Sequence, residues 1–193
     1  MEEGGFMSLE DKFNEIIEKH GDVLKNLAKN RNKEELEESS LSRIWQHVTD
    51  DNRSFAMISA SRGKFSDDGN LARHEALKNI VRIYGYGFVE TQGGYREGED
   101  GGEIVEEPSL FVPEIPLNDA VELGQFFSQD TVLYKDSDFF GYVGSSQVEG
   151  VGSVVMNFKK DVDHVLDLTN VEEFFSALVK GSHAGRRFVF RPE

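Results

Sequence analysis

The first fifty residues carry apolar positions at helical spacing. Between residues 9 and 30 these positions recur every three or four places, which predicts an amphipathic helix. Residues 41–49 repeat the spacing after a polar and charged stretch at 30–40. We therefore predict an N-terminal helical arm over residues 1–50, either packed on the rest of the protein or used as an interface. The stripe of the first helix consists of Leu9, Phe13, Ile16, Ile17, His20, Leu24 and Leu27.

From residue 54 onward, short apolar runs alternate with helical periodicity. An acidic, glycine-rich stretch at 93–107 is predicted to be a loop. Residues 51–193 are therefore predicted to form one α+β domain with a mixed central sheet and flanking helices. The predicted helices cover 70–84, 117–129 and 170–181. The predicted strands cover 54–60, 86–92, 108–113, 151–158 and 186–192, with a hairpin at 131–145 that turns at 136–138.

The order of these elements predicts that polar residues converge at one edge of the sheet. A strand–helix–strand unit is normally a right-handed parallel crossover, so strands 54–60 and 86–92 should be parallel neighbours. Their ends should then meet at the start of the intervening helix, where ligands of open sheets bind. Strand 107–112 should lie antiparallel to the second of them. The predicted ligand-binding residues are Ser59, Ser61, Arg62, Asn70, Arg73, Gly93, Gly94, Tyr95, Glu107, Ser109 and Gln129.

The chemistry of this edge suits a phosphate or a carboxylate. The formal net charge is -15, yet Arg62, Lys64 and Arg73 gather around one predicted helix start, whose free N–H groups also favour an anion. Arg73 has two interpretations because it shares a helix face with apolar residues. It either contacts a ligand or forms an internal salt bridge with Glu106 or Glu107, since a half-buried arginine needs a partner.

Composition narrows the class of protein. With 36 Asp and Glu against 21 Lys and Arg, the surface is acidic, which argues against nucleic-acid binding, although spaced carboxylates can also mimic DNA phosphates. Cysteine is absent, which excludes disulfides and thiolate chemistry. No apolar run approaches the roughly 20 residues of a membrane helix. We expect an acidic cytoplasmic protein without membrane association.

Catalytic and metal-binding patterns are sparse. The five His residues show no HExxH and no paired spacing, and neither a G-x-S-x-G nor a P-loop motif occurs. Glycines 85, 87, 93 and 94 fit turns better than a phosphate cradle. Glu106 or Glu107 is chemically able to serve as an acid or a base, but no pattern indicates an altered pKa. We therefore predict no catalytic residue, no metal ligand and no cofactor.

Several short motifs resemble an uncharacterised domain-of-unknown-function family found in bacteria and tailed phages. The resemblance extends over roughly residues 40–190, with Val105-Glu106 where the family often has an aromatic residue. The tail sequence GSHAGRRFVF is most similar to phage-borne members. The resemblance implies a shared polar edge and a phage origin, and it implies no particular reaction. Its motifs are Ser59-Ala60, Asn70 to Arg73, Gly85-Tyr86, Gly93-Gly94, Glu107 to Ser109, and Gln129 with Val132.

Three functions are compatible with these features. The preferred one is a phage (viral) accessory protein that binds a small anionic ligand, such as a cyclic nucleotide sequestered from host defence signalling. The second is a virion-associated or protein-interaction module that uses the N-terminal helices to dock or to form a homo-oligomer. The third is an enzyme acting on nucleotides, with Glu107 as the base and Arg73 as the anion clamp.

Overall fold

The computed structural model describes residues 40–96, 104–159, 163–165, 173–177 and 187–190. The helix predicted over residues 9–30 lies outside these ranges, so it stays a prediction. The described residues form three helices and a nine-stranded sheet. The helices are α1 (Ser40–Thr49), α2 (Asp67–Ile83) and α3 (Leu117–Phe126). The strands are β1 (Phe55–Ser59), β2 (Val89–Arg96), β3 (Ile104–Pro113), β4 (Thr131–Lys135), β5 (Phe140–Gly144), β6 (Val154–Asn157), β7 (Asp163–Val165), β8 (Glu173–Ala177) and β9 (Arg187–Phe190).

The strand order is β6-β5-β4-β1-β3-β2-β8-β9-β7, and each described pairing is antiparallel. The α+β class is confirmed, but the mixed sheet and the parallel β1–β2 neighbours are wrong. The glycine-rich stretch after residue 92 continues both strands of a long β2–β3 hairpin, and β3 takes the place beside β1. Strand β3 is antiparallel to β2, as predicted, so β1 and β2 still run in the same direction with β3 between them.

Two further boundaries differ from the sequence prediction. Helix α2 begins at Asp67 instead of Asn70, because the Ser66 hydroxyl caps it by accepting the Gly69 N–H at 3.3 Å. Its first turn carries Asp67 and Asp68, so carboxylates already occupy the positive end of the helix dipole. These carboxylates make the helix start less favourable to an anion than the sequence suggested.

The segment predicted as a helix at 170–181 contains a strand instead. Strand β8 pairs with β2 on one side and with β9 on the other. A short apolar run fits either a helix or a buried strand by periodicity alone. The observed pairing with both β2 and β9 decides between them, and it satisfies the backbone groups along the edge of β2.

The sheet carries an apolar cluster on each face. Alternate residues of β1 divide between them: Ala56 and Ile58 join the cluster under α2 and α3, whereas Phe55 and Met57 join the cluster under α1. The predicted apolar face of α3 is confirmed, and its Ala120, Val121 and Gly124 are buried. Helix α1 buries Ile44 and Val48 as predicted, but Trp45 of the same predicted face is exposed.

The β4–β5 hairpin turns at 136–138, as predicted. The Asp136 carboxylate accepts the N–H groups of Asp138 and Phe139, each at 2.9 Å, which is the usual way an aspartate stabilises a tight turn. Within the described ranges, no helix combines the length and the apolar content required to span a bilayer.

Candidate functional site

Three strands bring hydroxyl side chains into one row on the α1 face of the sheet. Ser59 of β1 and Thr91 of β2 both lie opposite Ser109 of β3. All three are buried, and the Thr91 hydroxyl donates to the Ser109 carbonyl at 3.1 Å. The Ser59 hydroxyl donates to the Pro108 carbonyl at 3.1 Å and accepts the Ser61 N–H at 3.0 Å. Ser59 and Ser109, both predicted to meet at one edge of the sheet, therefore lie opposite each other, although the strands are ordered differently.

Glu107 lies two residues from Ser109 along β3, on the same face of the sheet, and pairs with Gly93. Burial raises the pKa of its carboxyl to about 7, against the smaller opposing effects of a Ser59 hydrogen bond and the Arg62 charge. This perturbation has no local sequence signal, because it arises from strands that the fold places around the carboxyl. We call Ser59, Glu107 and Ser109, together with Ser61, whose N–H donates to the Ser59 hydroxyl, the serine–glutamate cluster.

Gly93 packs closely against this cluster. A Cβ atom at this position would lie 2.9 Å from the Ser109 hydroxyl oxygen, closer than side chains normally approach. Gly93 thus serves a close approach within a strand, and the turn predicted there is wrong. Gly94 pairs with Glu106 and, by strand alternation, faces the other side of the sheet, while Tyr95 pairs with Val105.

The loop that leaves β1 is clamped by three side chains that the sequence placed in contact with a ligand. Arg73 Nε donates to the Ala60 carbonyl at 2.6 Å. Gln129 Nε2 donates to the Ser61 carbonyl at 2.9 Å. The Asn70 side-chain amide accepts the Arg62 N–H at 2.9 Å and donates to the Arg62 carbonyl at 3.2 Å. These side chains fix the loop backbone, so in this structure they position the site.

Arg73 bonds backbone carbonyls instead of a carboxylate. Besides Ala60, its Nη2 donates to the Phe127 carbonyl at 2.5 Å, which ties the end of β1 to the end of α3. The guanidinium also lies 4.6 Å from the centre of the Phe65 ring. Burial, and secondarily Arg62, lowers the pKa of Arg73. The predicted salt bridge with Glu106 or Glu107 is therefore wrong.

The other two cations near the site also have internal partners. Arg62 Nη1 lies 2.7 Å from the Asp130 carboxylate, and the Arg62 side chain keeps 30% of its surface exposed. Lys64 lies over the Phe65 ring at 5.2 Å. Arg62 is thus the partly exposed cation beside Glu107. Asp130 and Ser145, whose hydroxyl donates to the Gln129 carbonyl at 2.8 Å, complete the loop contacts from the β4–β5 side.

The Ser61 hydroxyl is the unusual atom of the cluster. It is buried, with no hydrogen-bond partner among the residues that the structure describes. Leaving a buried hydroxyl unsatisfied costs about 1–3 kcal/mol, so such groups are rare. It adjoins Arg62 in the chain, two residues after Ser59, and thus marks a point where an additional hydrogen bond would be favourable.

Residues 61–132 match a family model. A DUF3293 domain, described as a protein of unknown function, is found there. The DUF3293 segment runs from Ser61 through α2, β2, β3 and α3 into β4, and it contains the cluster except for Ser59. The expected resemblance to an uncharacterised family is therefore confirmed over residues 61–132, while its wider extent and the phage origin stay predictions. No curated protein matches the chain.

The DUF3293 segment also holds the groups able to do chemistry. A carboxyl with a pKa near 7 is able to give or take a proton near neutral pH, and hydroxyl and guanidinium groups bind oxygen-rich ligands. Thr91 and Phe65 are site residues that the sequence prediction missed, because only the register and the loop packing bring them here. Among the described residues, no three His, Asp or Glu side chains are grouped to hold a metal ion.

Proposed function

We propose that the protein binds a small anionic ligand at the serine–glutamate cluster, with Arg62 as the charged contact. The observation that carries the proposal is the buried Ser61 hydroxyl, which has no partner in the described part of the chain and adjoins Arg62. A ligand oxygen would satisfy this hydroxyl. The clamped loop supports the proposal as well, because a backbone held in place loses little entropy on binding.

Each group has a distinct part in this binding. Arg62 engages Asp130 through Nη1, and a guanidinium carries five N–H donors, so it has donors to offer to a ligand. Glu107 in its protonated form donates a hydrogen bond to an oxyanion, and a nearby negative charge raises its pKa further. Because the chain has a formal net charge of -15, the anion needs this local cation to approach.

The proposed ligand class is a nucleotide, including cyclic nucleotides that signal in host defence. Support for this part comes from the phosphate-compatible donors of the cluster, and the phage origin on which the signalling role depends stays a prediction. We place the protein in the host cytoplasm or, as the alternative, in the virion. The hypothesis that the N-terminal helices dock a partner or form an oligomer stays a prediction, because residues 1–39 lie outside the described ranges.

A second candidate function is nucleotide-processing catalysis. The observation that favours it is the Glu107 carboxyl, whose pKa of about 7 suits a general acid or base at neutral pH. The anion-clamp role once predicted for Arg73 passes to Arg62 in this version, because the Arg73 donors bond Ala60 and Phe127. Turnover of a nucleotide by the parent and not by Glu107→Gln would support catalysis over binding alone.

A thermal-shift screen against nucleotides, cyclic dinucleotides and sugar phosphates tests the binding proposal. A ligand at about 100 times its dissociation constant adds about 2.7 kcal/mol of stability. We expect the parent to be stabilised by at least one compound, and Arg62→Gln to lose that effect. Arg53→Gln is the matched control, since Arg53 also pairs with one aspartate, Asp50, but precedes β1.

Gly93→Ala is a second variant for the same experiment, and it tests the site by steric crowding. Its new methyl group, at the position that pairs with Glu107, would displace the Ser109 hydroxyl from its position in the cluster, so it should weaken ligand binding at least tenfold. Gly87→Ala is the control, because a Cβ atom at Gly87 meets no atom within 4 Å. Stabilisation of the parent that survives in both Arg62→Gln and Gly93→Ala would place the ligand elsewhere, and a screen without any stabilising compound would refute the proposal.

A further inference from the structure

Strand β6 is an apolar edge of the sheet that lies open to solvent. Within the described sheet it pairs with β5 alone and stands last in the strand order. Its four residues are all exposed, with 58% of Val154, 40% of Val155 and 39% of Met156 accessible. The stretch from residue 150 to 158 contains no charged residue, although 30% of the chain is charged. An apolar, uncharged edge in so acidic a protein requires an explanation.

The register shows which backbone groups of β6 face away from β5. Phe158 donates its N–H to the Phe140 carbonyl at 2.8 Å, and Met156 lies opposite Tyr142. Because antiparallel strands alternate between inward and outward peptide groups, Asn157, which lies between Met156 and Phe158, directs its N–H and C=O groups outward. These groups are ready to bond a further strand.

Proteins usually protect such an edge with charges or proline, because an open edge pairs with other strands. The segment 150–158 has neither. A bulge opposite Val143 and the length of only four residues limit how long a new ladder can become. The edge therefore permits pairing with a short strand but not the extended strand pairing of a fibre.

We propose that β6 pairs with β6 of a second copy of this chain, antiparallel and about a two-fold axis. Two copies of an acidic chain repel each other over most of their surface, so an uncharged edge is where they can approach. A basic partner finds no carboxylate on residues 150–158 to bind. The edge is also self-complementary, since Asn157 supplies one outward donor and one outward acceptor, and a two-fold axis presents the same groups on the second copy.

The dimer contact is small and lies away from the serine–glutamate cluster. Four residues bury less than the roughly 800 Å² per partner of a standard interface, so the dissociation constant should lie in the micromolar range. Strands β5 and β4 separate β6 from β1 in the sheet. Loss of dimerisation should therefore leave ligand binding unchanged, and the two proposals fail independently.

Sedimentation velocity of the full chain over a wide concentration range tests the proposal. We expect a reversible monomer–dimer equilibrium in the parent and at least a tenfold weaker one in Val155→Lys. Asn157→Pro, which removes an outward N–H group, should have the same effect. Leu71→Lys is the control, because it places the same positive charge at an exposed position of α2, which is far from β6 along the sequence. Circular dichroism checks that each variant stays folded.

Crosslinking identifies the contact itself. Because the chain has no cysteine, a single introduced cysteine reports one position only. Directly opposed residues of antiparallel strands have Cα atoms about 4.5–5.5 Å apart, within disulfide range. At least one of Val154→Cys, Val155→Cys and Met156→Cys should form a disulfide-linked dimer, whereas Leu71→Cys should not. A parent protein that stays monomeric at all concentrations would overturn the proposal. A dimer that β6 substitutions leave intact would overturn it as well, and a dimer built on the N-terminal helices would behave in this way.

Discussion

The two ends of β1 hold buried ionisable groups in different ways. At the start of the strand, Lys135 lies opposite Phe55, is fully buried, and donates from Nζ to the carbonyls of Asp50 and Arg53 at 2.8 and 3.1 Å. At the other end, Glu107 lies beside Ser59 with its pKa raised by burial to about 7. Lys135 thus donates to two backbone carbonyls and satisfies them. Glu107, in contrast, lies where burial disfavours its charged form.

This contrast separates ionisable groups that stabilise the fold from ionisable groups that lower the stability of the folded state. A buried cation with two carbonyl acceptors joins distant segments, here the end of α1 to β4. A carboxyl whose ionised form is penalised weakens the folded state at neutral pH. Groups of the second kind concentrate at functional sites, because the shifted pKa is what makes them reactive or selective.

Lys135→Met should give the largest effect. The substitution removes the hydrogen bonds that Lys135 donates to the Asp50 and Arg53 carbonyls. Because this leaves two carbonyls without their lysine donor, we expect a loss of about 4 kcal/mol in the free energy of unfolding. Urea denaturation of parent and variant measures it. Lys78→Met is the control, because the Lys78 partners Glu75 and Glu90 are exposed and such pairs contribute about 1 kcal/mol or less. Equal losses of stability in the two variants would show that the buried Lys135 stabilises the fold no more than an exposed ion pair does.

Arg73→Met should cost about 3 kcal/mol, because it breaks the clamp between the Ala60 and Phe127 carbonyls. Arg73→Lys should not restore stability, since one ammonium group cannot reproduce the fork of the guanidinium. Arg62→Gln, in contrast, should cost less than about 1 kcal/mol, as expected for a partly exposed ion pair. The same urea titrations separate the two arginines. A stable Arg73→Met variant would mean that the clamp does not support the fold.

The pH dependence of Glu107 should be smaller than the losses in Lys135→Met and Arg73→Met. Its pKa rises from an ordinary value near 4.5 to about 7 on folding, so its stabilising contribution is complete below pH 4.5 and is lost as pH rises through 7. After allowance for partial exposure, we expect a loss of about 2 kcal/mol across this interval. Glu107→Gln should lack it and should be more stable than the parent at pH 8.

The control for this measurement is the difference between parent and variant at each pH. Burial lowers the pKa of His74, so His74 favours the folded state above its ordinary pKa of 6.5 and weakens it as pH falls. That contribution opposes the one from Glu107 and cancels in the difference. A difference that stays constant from pH 4 to pH 8 would show that the Glu107 carboxyl is not perturbed by folding.

Local pattern alone determined much of this protein. The three described helices, the hairpin turning at 136–138 and the strands on either side of α2 all follow from residue spacing and turn chemistry. The gathering of Ser59, Ser61, Glu107 and Ser109 at one edge was also predicted, because β1 and β2 run in the same direction whichever strand separates them. Such features depend on neighbours in the chain or on strand direction.

Only the tertiary structure decided the strand order, the strand at β8 and the partners of Arg73. Strand pairing joins residues far apart in sequence, so spacing within a segment does not select between β2 and β3 as the neighbour of β1. The raised pKa of Glu107 has the same origin, because burial by other strands sets it. Arg73 looked like a ligand contact because its acceptors, the Ala60 and Phe127 carbonyls, are backbone atoms, and backbone atoms leave no signature in a sequence.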